Sequence, residues 1–181
     1  MTTGVIAQDS HDEHHDDHKM TGIKRWLYTT NHKDIGTLYL WFAFIMFLTG
    51  GALAMVIRAE LFQPGLQIVE PDFFNQLTTV HGLVMVFGAI MPAFTGFANW
   101  MLPMMLGAPD MALPRMNNWS FWILPFAFAI LLGSFFMESG APNFGWTFYA
   151  PLSTTYSNGS TAFFVFAVHI MGISSIMGAI N

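Results

Sequence analysis

Four long stretches of this chain carry no Asp, Glu, Lys or Arg: between Asp34 and Arg58, between Asp72 and Asp110, between Arg115 and Glu138, and everything after Glu138. A hydrocarbon core about 30 Å thick takes about 20 helical residues to cross, and a chain inside it must satisfy its own backbone hydrogen bonds. Each stretch is long enough, so the sequence predicts transmembrane helices at Gly36–Ile57, Gln76–Leu102, Ser120–Met137 and Thr161–Asn181. Only 9% of the residues are charged, against roughly 25% in soluble domains. The fold class is therefore all-α, a polytopic transmembrane bundle, and with a net charge of −5 nothing offers a nucleic-acid surface.

Orientation follows from the basic residues. Lys19, Lys24, Arg25 and Lys33 precede the first helix and Arg115 lies between the second and third, so five of the six share one side, which the positive-inside bias makes cytoplasmic. Residues 1–20, with the run His11-Asp12-Glu13-His14-His15-Asp16-Asp17-His18, read as a disordered acidic tail, with metal scavenging as the alternative. Residues 21–35, basic and aromatic, read as a cytoplasmic interfacial segment, and residues 36–181 as the four spans. The segments from Ala59 to about Asn75 and from Glu138 to about Ser160 are expected outer loops, and Pro103 to Trp119 an inner loop too polar to continue a helix. The last span meets no cap or basic flank at Asn181, so the chain reads as a fragment cut inside a helix. With no cysteine, any metal must be held by His, Met or oxygen.

Few side chains can carry chemistry. His81 is the one titratable group in the second span, and burying an imidazole there is costly unless it is bonded or ligated. It is either an axial ligand for haem iron, with Gly82 admitting a flat macrocycle, or a helix-to-helix hydrogen bond. Asn99 lies eighteen residues on, which in a regular helix returns to the same face, with Pro92 between them as a possible kink. Asp110, followed by Asn117 and Asn118, is either the mouth of a proton path or a loop acid in an Asx turn or paired with Arg115. Ser174, Ser175 and Asn181 either line a wet path or belong to small-residue packing patterns with Gly178 and Ala179. His169 is expected in a buried interhelical hydrogen bond, with ligation as the alternative, and the Arg58 donor fork either binds a haem substituent or snorkels outward.

Several ordered stretches resemble subunit I of the haem-copper oxidases. They are Thr30-Asn31-His32-Lys33-Asp34-Ile35-Gly36-Thr37-Leu38-Tyr39, Arg58-Ala59-Glu60-Leu61, His81-Gly82, Gly107-Ala108-Pro109-Asp110-Met111, Pro114-Arg115-Met116-Asn117-Asn118, Gly145-Trp146-Thr147, and the run from Gly172 to Asn181. The resemblance implies the first four helices of a twelve-helix subunit. It implies that His81 is an axial ligand of low-spin haem a, that Arg58 hydrogen-bonds the haem formyl, and that Trp146 lies near the propionates. It implies further that Asp110 opens the D proton channel, with Asn99, Asn117, Ser174, Ser175 and Asn181 ordering its water. Glu60 and Gly65 match positions that hold a structural calcium or sodium ion in some members. The chain departs from the family in a His81-to-Asn99 stretch one residue shorter than in many relatives, and in Ala150 where Pro is usual.

Haem a3 and copper B would be held by later helices, so the 181 residues alone are expected neither to reduce oxygen nor to hold haem in its native bis-His state. The implied intact enzyme passes electrons from cytochrome c to oxygen and translocates protons. It works with oxidase subunits II and III in a bacterial inner membrane, its N-terminus cytoplasmic. One rival is a quinol oxidase. Such relatives carry Arg and Asp in the first helix and a His before the haem ligand, where this chain has Thr49, Leu53 and Phe73, although Gln76 would fit a quinone pocket. Another rival is a non-catalytic membrane scaffold.

Overall fold

The computed structural model describes residues 22–181, so the expectations for the acidic tail lie outside the described residues. The order is α1 (Ile23–Tyr28), α2 (His32–Glu60), α3 (Pro71–Leu83), a π-helical segment (Val84–Ile90), α4 (Met91–Leu106), α5 (Pro114–Gly133) with a 3₁₀ turn (Ser134–Phe136), the short α6 (Leu152–Thr155), and α7 (Thr161–Ile180). The described residues are all helix and loop, and four helical runs are long and apolar enough to cross a membrane: His32–Glu60, Pro71–Leu106, Pro114–Phe136 and Thr161–Ile180.

The runs are the expected ones, but the first three begin four to six residues earlier than expected, and the first two also end later. The reason is local capping and tertiary hydrogen bonding. The Asn31 side chain accepts from the Lys33 and Asp34 amides and so starts α2, with Asp34 in the first turn opposing the helix dipole. Pro71 and Pro114 stand at first-turn positions, where their missing N–H costs nothing. Gly107, at φ +69°, ends α4 in a Schellman motif in which Ala108 N–H donates to Pro103 O at 2.8 Å. Much of the expected inner loop is therefore helix.

α2 packs along the second span and α5 along α7. The α2–α4 crossing is close because Gly36 and Gly96 face each other: a methyl on Gly96 would come within 3.0 Å of the Gly36 carbonyl, and one on Gly36 within 2.9 Å of the Gly96 carbonyl. The two pairs join through buried aromatics, with Phe42 edge-on to Phe121 and to Phe128 at centroid distances of 6.4 and 5.6 Å. At the N-terminal end of α2, α1 is tied down by a bidentate Arg25–Asp34 pair at 3.0 and 2.7 Å and by Asn118 Nδ2 donating to Leu27 O. The hydrogen bonds and charge of Asp34 hold the Arg25 guanidinium even further above neutrality than usual.

Candidate functional site

His81 sits in the last turn of α3, half-buried, and its Nδ1 lies 2.9 Å from the main-chain oxygen of Gly50 in α2. A carbonyl only accepts, so Nδ1 carries the proton and Nε2 keeps its lone pair. That is the tautomer a haem-iron ligand needs, with the carbonyl partner that fixes ring orientation and raises the basicity of the free nitrogen. The residues present fit the group. Gly50 contributes by lacking a side chain, since a methyl there would overlap the Met85 thioether.

The expectation that Gly82 admits a macrocycle is corrected. The Trp146 indole fills that space, and a methyl on Gly82 would lie 2.9 Å from its Cδ1. Trp146 is brought there by the outer loop, which docks on the back of α3. The Gln76 side-chain oxygen accepts from Ala141 N–H at 2.9 Å, its amide donates to Asp72 at 2.6 Å, and Thr79 Oγ1 accepts from Gly145 N–H at 3.0 Å. Gln76 is thus engaged by its oxygen with the loop and by one amide proton with Asp72.

The regular-helix relation between His81 and Asn99 is also corrected. In the π segment Met91 N–H reaches back five residues to Val86 O, and each such turn takes up one extra residue, so the face rotates by roughly 100° between the two. Pro92, just below, cannot donate to the preceding turn, which is the sequence signal for the break.

Toward their C-terminal ends, α4 and α7 enclose a groove of about 920 Å³. Asp110, Asn99, Ser174, Ser175 and Asn181 all line it, together with Thr95 and Tyr39. Asn117 stands behind Asn99 and donates to its Oδ1 at 2.5 Å. The turn after Gly107 delivers Asp110 to the mouth, where its Oδ1 accepts from Met111 N–H at 2.7 Å. Among the described residues Asp110 forms no ion pair, so the expected alternative of a pair with Arg115 is not realised. Asn181 Oδ1 accepts from Leu113 N–H at 2.6 Å, joining α7 to the start of α5.

Sequence reading missed the residues that bind this wall together. His32 Nδ1 donates to Asn99 O at 2.8 Å, Ser120 Oγ donates to Asn117 O at 2.7 Å, and Ser174 Oγ donates to Ser120 O at 2.6 Å. The Tyr39 hydroxyl pairs with Ser120 Oγ at 3.0 Å. All of these side chains are buried, and they come from three different helices, with the Asn99 carbonyl of α4 as a fourth contributor. Their one sequence signal was polarity inside an apolar run. Two buried atoms of the wall lack a protein partner, Asn117 Oδ1 and Asn181 Nδ2.

Other candidates fall outside both regions. Arg58 is exposed in the last turn of α2 and makes no side-chain hydrogen bond among the described residues. The Glu60 carboxylate accepts from the amides of Gln67, Ile68 and Val69 at 2.9, 2.6 and 3.0 Å, which folds the outer turn through Gly65 at φ +94°. With three of about four lone-pair sites taken, Glu60 and Gly65 do not by themselves supply the six to eight oxygens of a calcium site. His169 is exposed, and its Nδ1 donates to Val165 O of its own helix at 2.7 Å, so the buried interhelical bond expected for it is corrected. It borders a small apolar pocket with Phe87 and Trp146.

A family model described as cytochrome c and quinol oxidase polypeptide I matches residues 34–181. The chain belongs to that family. It is 44% identical over 168 residues to the cytochrome c oxidase subunit 1 of Corynebacterium efficiens, covering 91% of this chain and 29% of the relative. The Corynebacterium glutamicum subunit gives the same identity and coverage. A Streptomyces avermitilis protein named as a probable cytochrome c oxidase subunit 1-alpha is 43% identical over 161 residues, 88% of this chain and 28% of the relative. The chain thus spans under a third of the length of these members of the oxidase family.

Proposed function

We propose that this chain forms the N-terminal part of the catalytic subunit of a haem-copper oxidase that reduces oxygen with electrons from cytochrome c and moves protons across the membrane. The observation that carries the reading is His81 with Nδ1 spent on Gly50 O, which leaves Nε2 as a ligand to low-spin haem a. When bound, that haem supplies one-electron transfer. Arg58 and Trp146 are proposed to contact its substituents. Haem a3 and copper B, and contacts with subunits II and III, belong to the rest of the subunit and complex.

On the inner side, Asp110 takes up a proton at its carboxylate. Asn99, Asn117, Ser174, Ser175 and Asn181 hold the water that carries it up a groove roughly 20 Å long, the rise of α7 from Asn181 to Val168. The buried orphan atoms Asn117 Oδ1 and Asn181 Nδ2 support this, because such atoms need partners and water supplies them. The side on which Asp110 lies is the cytoplasmic face of a bacterial plasma membrane.

A quinol donor is the second reading. The family includes quinol oxidases, but the engagement of Gln76 with Asp72 and Ala141 favours cytochrome c. Turnover of the purified complex with each donor decides between them, and activity with quinol alone reverses the choice. The haem assignment is tested by His81→Ala in the intact complex. The low-spin absorbance is expected to vanish and oxygen reduction to fall at least about a hundredfold. A retained low-spin spectrum overturns the assignment.

A further inference from the structure

The turn bearing His81 is gripped from two sides and loosened below. On one side Nδ1 meets Gly50 O. On the other, Gln76, Thr79 and Gly82 recur every three residues and present one face of α3 to the outer loop. Just beyond Leu83 the α-helical ladder gives way to the π segment, so the regular ladder that would otherwise hold the turn from below is interrupted.

Thr79 is the central anchor. It is 1% exposed. Its hydroxyl proton is committed to Asn75 O at 2.8 Å, and its oxygen accepts the Gly145 N–H. Gly145 adopts φ +83°, a conformation that favours glycine, and the next residue is the Trp146 that lies on Gly82. Of the bonds that seat the loop, this one lies next to the indole that presses on the His81 turn.

We propose that Thr79 is a positioning residue for the His81 imidazole, acting through the Gly145 amide and the Trp146 ring. This rests on the reading of His81 as an iron ligand. Without the acceptor, Gly145 and Trp146 shift, the turn rotates, and the Nδ1 bond to Gly50 O lengthens. A weaker Nδ1 bond makes Nε2 a poorer electron donor, which destabilises the ferric state and raises the reduction potential.

The test uses the intact membrane complex. Thr79→Val keeps the shape and removes the acceptor. Haem content is expected to stay at the wild-type level, while the low-spin haem's reduction equilibrium shifts about fivefold toward the ferrous state, the weight of one ordinary hydrogen bond. Its ferric EPR g-values shift as well. Thr79→Ser, which keeps the oxygen, is expected to restore both. Gly82→Ala, which displaces the indole, is expected to move them as Thr79→Val does. Wild-type potential and g-values in Thr79→Val or Gly82→Ala at full haem content overturn the proposal, as does Thr79→Ser behaving like Thr79→Val. Should Thr79→Val not assemble, Gly82→Ala decides. Loss of the low-spin spectrum in His81→Ala separates the outcomes: if it is lost and Thr79→Val changes nothing, only the positioning role fails.

Discussion

The outer and inner polar regions of this bundle spend their hydrogen bonds in opposite ways. Around His81 the α3 side chains have fixed protein partners, Gly50 O for the imidazole, Gly145 N–H for Thr79, Ala141 N–H and Asp72 for Gln76, and one buried atom of the docked loop, Asn143 Oδ1, has none. On the imidazole itself the Nε2 lone pair is left free. In the groove below, amides and hydroxyls are bound to one another at the back, yet Asn117 Oδ1 and Asn181 Nδ2 remain without protein partners. A site that must hold a cofactor at one angle benefits from exhausting its donors and acceptors, whereas a path that must host changing water needs some to spare.

If the regions are functionally separate, Asp110→Asn separates them most sharply. Oxygen-reduction turnover of the intact complex is expected to fall at least about tenfold, with the low-spin haem spectrum unchanged. A disturbed spectrum would break the comparison. A smaller effect is expected from Asn117→Leu, which removes the donor to Asn99 and strands a buried acceptor. The complex should lose about 1–3 kcal/mol of stability, read as earlier thermal unfolding in detergent. The smallest is Arg25→Ala. The pair with Asp34 is at the surface, its guanidinium more than half exposed. Its loss should leave the thermal unfolding of the complex in detergent nearly unchanged, because solvent screens the pair, and leave turnover intact. A large loss of turnover would mean that α1 belongs to the proton groove rather than to its surroundings.

The spans were legible because a bilayer tolerates few sequences: about 20 residues without charge have little choice but to cross it as a helix. Their ends were not legible. Asn117 and Asn118 look like loop residues, yet they are helical because Asn99 and Leu27 O receive their amide protons, and those partners lie far away in sequence. Asp110, Asn99, Ser174, Ser175 and Asn181 could be nominated singly, and their common groove follows from how α4 and α7 pack. His32, Tyr39 and Ser120 went unread because no spacing within one helix links them; each is a lone polar residue until α2, α5 and α7 come together. Gln76 was visible as a polar residue in a span. Its engagement depends on a loop more than sixty residues on.

The π-helical stretch from Val84 to Ile90 gives this membrane span slack. Deleting one residue there would let the backbone tighten into ordinary α-helix while both ends stayed in register, so length variation that would ruin any other part of the span could be absorbed at this point.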